Sequence, residues 1–168
     1  MHAAEPDTSG ADVRHVSVIE VLEAIGSPQP SSAAGISAGI ALALAAACAL
    51  KAVSVTLKHK EDPALRADCD RLVHQRDRAL ERAREDADLF QSYLRDHAPR
   101  DAAKLVHAAE QFQELAREVA AQIAELEGRV RPSVAADLVA ARALHAAAEA
   151  IESLVMRDNR RLRARAVR

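Results

Sequence analysis

Aromatic side chains are almost missing: one Tyr, two Phe and no Trp, together 2% of 168 residues. With only five Gly and six Pro and few β-branched runs, a sandwich, barrel or doubly wound sheet lacks its turn residues. Helices remain. Two cysteines, Cys48 and Cys69, cannot staple a disulfide scaffold, and no Cys/His cluster has zinc spacing. Both thiols read as small core residues in a reducing, cytoplasmic compartment. The seven His residues form no HxxxH or HExxH pair, which leaves catalytic zinc without support and predicts no metal site. Neither a P-loop nor a GxGxxG pattern occurs and no Ser sits in a nucleophile elbow, so nucleotide folds are excluded. Charge of one sign is also lacking. With 23 basic and 25 acidic residues the formal net charge is -2, and no global field attracts nucleic acid.

What the chain does have is Ala, roughly a quarter of all residues, within a hydrophobic content of 49%. Its length suits one domain whose core is built of Ala, Leu and Val. Residues 1–15 mix acids, Pro, Gly and Ser with no apolar stretch and read as a disordered lead-in, not a secretory signal. Residues 16–159 form the domain, and 160–168 are a basic tail in which Arg160, Arg161, Arg163, Arg165 and Arg168 could meet phosphates or acidic surfaces. The uncharged run from Ala33 to Leu50 is nearly long enough to span a membrane. Nearly half of it is Ala, however, and Lys51 and Lys58 interrupt its continuation. It reads as the central helix of a soluble bundle, apolar all round.

Ser17 and Glu20 make a capping box before a short helix carrying Val18, Val21, Leu22 and Ile25, with Gly26 as its stop. Residues 27–37 hold Pro28 and Pro30 and are expected to be a loop. The Ala-rich helix then runs from about Ser37 to about His59, ahead of Pro63. A second long helix shows Leu65, Cys69, Leu72, Ala79, Ala83, Ala87, Phe90 and Leu94 at alternating three and four spacing, broken at Arg76. After Pro99, a third carries Ala102, Leu105, Ala109, Phe112, Ala116, Val119, Ile123 and Leu126 without a break, closed by Gly128 and Pro132. Ser133 is placed as the N-cap of a fourth, with the stripe Ala141, Leu144, Ala148, Ile151 and Val155. The expected fold is all-α: an up-and-down bundle of four long helices plus a short N-terminal one.

Two carboxylates stand out against that pattern. Asp86 lies three residues after Ala83 and four before Phe90, at the edge of the apolar stripe, where burial would raise its pKa toward acid/base range. The other reading makes it a surface member of the EREDAD charge run. Extending the last stripe one turn back from Ala141 lands on Asp137, which is either core-facing or a solvated first-turn acid favoured by the helix dipole.

Taken in order, SVIEVLEAIGS, a loop with Pro and small residues, an Ala-rich helix ending VTLKHK, then EDADLFQSYL and PSVAADLVAARAL resemble the formiminotetrahydrofolate cyclodeaminase and methenyltetrahydrofolate cyclohydrolase family. The likeness spans about residues 16–159. It implies a helical bundle that forms a homodimer and acts on folate near the subunit interface. Pro28, Pro30, Gly35, Ser37, Thr56, Lys58 and Lys60 match the family's PxPGGGS loop, Thr and trailing basic residues. Glu85, Asp86, Ala87, Leu89 and Phe90 match its EDAxAF segment, whose acid is assigned to proton transfer, and Ala136 and Asp137 match its SD element. Two departures are clear: SSAAGIS keeps one Gly of the family's run, and of the Asn-rich ending NVxxNL only Asn159 survives.

The resemblance implies an enzyme in which Asp86 is the acid/base and Asp137 orients the substrate or stabilises its cationic amidinium. Gly35, Ser37 and Thr56 would bind substrate, Lys58 and Lys60 would hold the folate glutamate tail, and Tyr93, two turns past Asp86, is a further candidate contact. No prosthetic group is expected, and a tetrahydrofolate derivative would be the substrate. The expected partners are that small molecule and a second copy of the chain, with no nucleic acid and no membrane. Two other readings stay open: a divergent enzyme that has lost folate and cyclises, eliminates or hydrates a small amine-containing metabolite, and a non-catalytic helical interaction module.

Overall fold

The computed structural model describes residues 17–167, so the expected lead-in at 1–15 lies outside them. Five α-helices run in order: α1 (Val18–Gly26), α2 (Ala33–Leu57), α3 (Pro63–Asp96), α4 (Pro99–Glu125) and α5 (Ala135–Ala166), with a 3-10 turn at Pro132–Val134. There is no strand among the described residues. Ser17 and Glu20 close the capping box on α1, and the chain leaves that helix through extended Ser27, as the residue before a proline must. Asp62 caps α3 with Pro63 in its first turn. His97, in the left-handed conformation (φ 49°), ends α3 immediately before Pro99 opens α4. Gly128 (φ 71°) turns the chain after α4.

The long helices form a four-membered bundle. α2 packs along α3 and α5, and α4 packs along the same two from the other side, so α3 and α5 face each other across one diagonal. By length and composition α2 could cross a membrane. In the fold it is the bundle's central element, burying Ala38, Leu42, Ala45, Ala46, Ala49, Ala52 and Val53 completely. Every residue of the expected α4 seam, from Ala102 to Leu126, is buried.

Three boundaries differ from the sequence reading. α2 begins at Ala33, four residues early, because nothing after Pro30 and Ser32 forbids helix, so Gly35 and Ser37 are helical. Ser133 lies inside the 3-10 turn, and α5 starts at Ala135 with no side-chain cap. α5 also runs unbroken to Ala166, where Leu162 and Ala166 pack on the cluster of Tyr93, Ala102 and Leu105, so residues 160–166 are bundle and not tail.

Two stripes are also rotated from the expected ones. On α3 the buried line is Leu65, Asp68, Leu72, Gln75, Ala79 and Ala83, with Cys69 only half-buried. On α5 it is Leu138, Ala141, His145, Ala148, Glu152, Met156 and Asn159, leaving Leu144, Ile151 and Val155 half-buried. In both, the turn of the helix takes polar residues into the interior.

Candidate active site

Buried polar groups must find partners, and most of those in this bundle do. Asp68, fully buried, accepts from the Arg71 guanidinium and from Gln122 Nε2 (2.9 Å), and pairs with Arg129 Nη2 at 2.9 Å. Thr56 Oγ1 donates to Ala52 O (2.8 Å) and accepts from Arg131 N (3.0 Å), binding the end of α2 to the α4–α5 connection. Asn159 Nδ2 donates to Leu105 O at 3.2 Å. Two carboxyls differ: Asp86 on α3 and Glu152 on α5, which approach across the bundle's diagonal.

Asp86 accepts from the Ser32 hydroxyl. Ser32 is the N-cap residue of α2, yet its side chain caps no backbone N–H; it is turned to the carboxyl instead. Gln91 Nε2 donates to Pro30 O (3.1 Å) and ties that segment to α3. Gly35 supplies the space: a Cβ there would come within 2.8 Å of Asp86 Cγ and 2.7 Å of Ser32 Oγ. One turn on, a Cβ on Gly39 would meet Ala83 Cβ at 2.5 Å and Ala79 O at 3.0 Å, so α2 and α3 touch almost backbone to backbone. The one Gly of SSAAGIS is the one on which Asp86 rests.

Burial is the main cause that raises the Asp86 pKa; the Ser32 hydrogen bond works against it, and the charge of Glu85 adds to it. The nearby N-terminus of α2 favours the ionised form as well. Glu152 is only 4% exposed. Its pKa is pushed up to about 8, by burial first and then by the charge of Asp86. At neutral pH the pair therefore holds a proton that ordinary carboxyls would have lost.

Beside Glu152 a cavity of about 220 Å³ lies between α4 and α5, lined by Phe112, Gln113, Ala116, Arg117, Glu149, Glu152 and Ser153. No group of three or more His, Cys, Asp or Glu that could hold a metal occurs among the described residues.

A solved structure with the same architecture is formiminotetrahydrofolate cyclodeaminase from Thermotoga maritima, which superposes with a TM-score of 0.84 over 89% of this chain and 80% of that one, at 16% identity. This chain has the cyclodeaminase fold. No protein-family model and no curated protein sequence matches it. The fold-level likeness agrees with the order of short segments that resembles the cyclodeaminase and cyclohydrolase family.

The sequence-derived site residues do not all meet. Asp86 and Gly35 are in contact. Ser37 lies half-buried two residues further along α2, its hydroxyl donating to Ala33 O at 2.7 Å. Tyr93 is buried with Ala102 and Leu105, its ring edge-on to His97 at 5.3 Å. Thr56, Lys58 and Lys60 sit at the far end of α2, about 30 Å or more from Gly35 by helix rise. Lys58 and Lys60 are exposed there. Asp137 is half-buried in the first turn of α5 at that same far end, about 22 Å along the axis from Glu152. Buried Leu138 takes the core position next to it.

Glu152 is the residue the sequence reading missed. Its signal was present: Ala141, His145, Ala148 and Glu152 are spaced four, three and four, a complete stripe once polar residues are admitted.

Proposed function

We propose that the chain is a bundle enzyme of the cyclodeaminase or cyclohydrolase type, acting on a tetrahydrofolate one-carbon adduct with Asp86 as general acid/base. The single observation that carries this reading is the carboxyl pair of half-buried Asp86 and buried Glu152, neither of them ion-paired with a cation among the described residues, set on the shared fold. In cyclodeamination, the free nitrogen of the folate attacks the formimino carbon, a C–N bond forms, and the attacking nitrogen gives up its proton to the site. The amino nitrogen takes a proton from the site and leaves as ammonia, closing the methenyl bridge. In the cyclohydrolase direction, water adds to that bridge and loses a proton to the same carboxylate. Each needs a carboxyl that gives and takes a proton, and burial, which raises the Asp86 pKa, favours one that does. Glu152 would lend negative charge to the cationic bridge.

Asp137, Lys58 and Lys60 can serve this site only from a second copy of the chain, in the homodimer that the resemblance implies. The test is calorimetry with a stable tetrahydrofolate analogue beside the methenyl absorbance assay. Saturable binding and turnover are expected, and Asp86→Asn should lower turnover by about 100-fold or more while the bundle stays folded. Unchanged turnover in that variant would remove Asp86 from the mechanism.

One observation favours a second reading. SSAAGIS at 31–37 keeps one Gly where the resembled family has a run, which suits a divergent enzyme using the same acid on a smaller amine-containing metabolite. Failure to bind the folate analogue, with an Asp86-dependent reaction on such an amine, would select it.

A further inference from the structure

Glu152 makes no hydrogen bond or ion pair with any described residue, although it is 96% buried and borders the cavity between α4 and α5. Its carboxyl opens onto that cavity and finds no donor among the described residues. What it lacks is a cation with hydrogens to donate. Phe112, 4% exposed, presents its ring to the same space, and Glu149 stands exposed on the rim. Arg117 is the one cation on the lining, and its Nε is spent on Gln113 O of its own helix at 3.2 Å.

Apart from Arg117, the charged surroundings reinforce that bias. From α3, Asp86 acts on Glu152. From α5 itself come Glu149 and His145, whose Nε2 is 2.8 Å from Ala116 O and whose Nδ1 is 3.7 Å from Glu149 Oε2. From α4 comes Arg117. α2 carries a single charged residue, the exposed Lys51, far down the bundle.

We propose that the α4–α5 cavity is a binding site for a small primary ammonium group, held by Glu152 against the ring of Phe112 with Glu149 at the entrance. An ammonium offers three donors to the carboxyls and a compact charge to the aromatic face. About 220 Å³ of half-open space admits an amine of a few heavy atoms. The inference goes beyond the folate reading and needs neither folate nor turnover.

The probe is propylammonium chloride, titrated calorimetrically into the full chain at several pH values and in two buffers of different ionisation enthalpy. A primary amine stays charged to about pH 10, so any pH dependence below that belongs to the protein. The expected result is one saturable site per chain in the millimolar range, with affinity rising up to about tenfold per unit toward pH 8 and levelling above it. Below that pH, binding should release close to one proton.

Glu152→Gln keeps the shape and removes the ionisable group, so it should fold. It should lose at least about tenfold in affinity and all of the pH dependence, while Phe112→Leu should lose about threefold. Glu149→Gln should change affinity by no more than about threefold, as expected of an exposed rim charge. Absence of saturable binding at 100 mM ligand and pH 9, or binding that survives Glu152→Gln unchanged, would overturn the proposal. Loss of turnover in an Asp86 variant would leave it untouched, which keeps its failure distinct from that of the folate reading.

Discussion

Asp68 and Asp86 lie on the same helix, about 27 Å apart by helix rise, and both carry their carboxyls inward. Asp68 is surrounded by Arg71, Arg129 and Gln122. Asp86 has one hydroxyl, a glycine, and another acid across the bundle. The first arrangement joins α3 to α4 and to the turn after it. The second leaves its acids without a paired cation, as the proposed proton-transfer site would require. The two acids therefore differ less in facing inward than in the cations around them.

The largest effect expected from breaking this contrast is at the compensated end. Asp68→Ala removes the centre of the network and should cost about 3 kcal/mol, lowering Tm by roughly 6–12 °C in thermal melts. The cost should sit at the low end for such networks because Arg71 and Arg129 are partly exposed and can recover water. Next come the glycines. Gly39→Ala presses a Cβ against Ala79 O and Ala83, which the helix backbone cannot withdraw, and should destabilise by about 2 kcal/mol in denaturant unfolding. Gly35→Ala meets only the Asp86 carboxyl and the Ser32 hydroxyl, both able to rotate away. It should cost about half as much while detaching Asp86 from Ser32, so that the site suffers more than the fold.

A pH series sharpens the contrast. Glu152 has its folded pKa raised, to about 8, above its ordinary value. The native state then binds more protons than the unfolded one, so this group's contribution is fully present below about pH 4.5 and is lost as pH rises through about 8. Relative to Glu152→Gln, the wild type should lose up to about 1.4 kcal/mol per pH unit between about pH 5 and 8 and little more above about pH 9. The smallest effect is at α1, which buries none of its residues. Ser17→Ala breaks its capping box and should fray that helix by about 1 kcal/mol, seen in hydrogen exchange, while the global Tm stays unchanged.

How much of this was legible before the structure follows from what repeats along the chain. The α4 seam is wholly apolar at three and four spacing, and each of its eight residues is buried. The α3 and α5 stripes lie one residue away from the expected ones because interior positions hold Asp68, Gln75, His145 and Glu152, and a pattern of apolar residues steers away from buried polar positions. Asp86 stands out because it borders apolar neighbours and falls in the segment that resembles EDAxAF. For Glu152 the spacing with Ala141, His145 and Ala148 signals burial, but its nearness to Asp86, 66 residues away in sequence, is not in any local spacing. Lys58, Lys60 and Asp137 looked like partners of Asp86 only until α2 and α5 were seen to hold them at the opposite end of the bundle.

Half-buried Asp86 and buried Glu152 should act on each other across the bundle, and carbon-detected NMR titration of the Glu152 side chain tests that most directly. In the wild type Glu152 should titrate near pH 8, and in Asp86→Asn its midpoint should fall while staying above that of an ordinary glutamate, because burial remains when the neighbouring charge is gone. A wild-type midpoint near 4.5, unmoved by Asp86→Asn, would contradict the account.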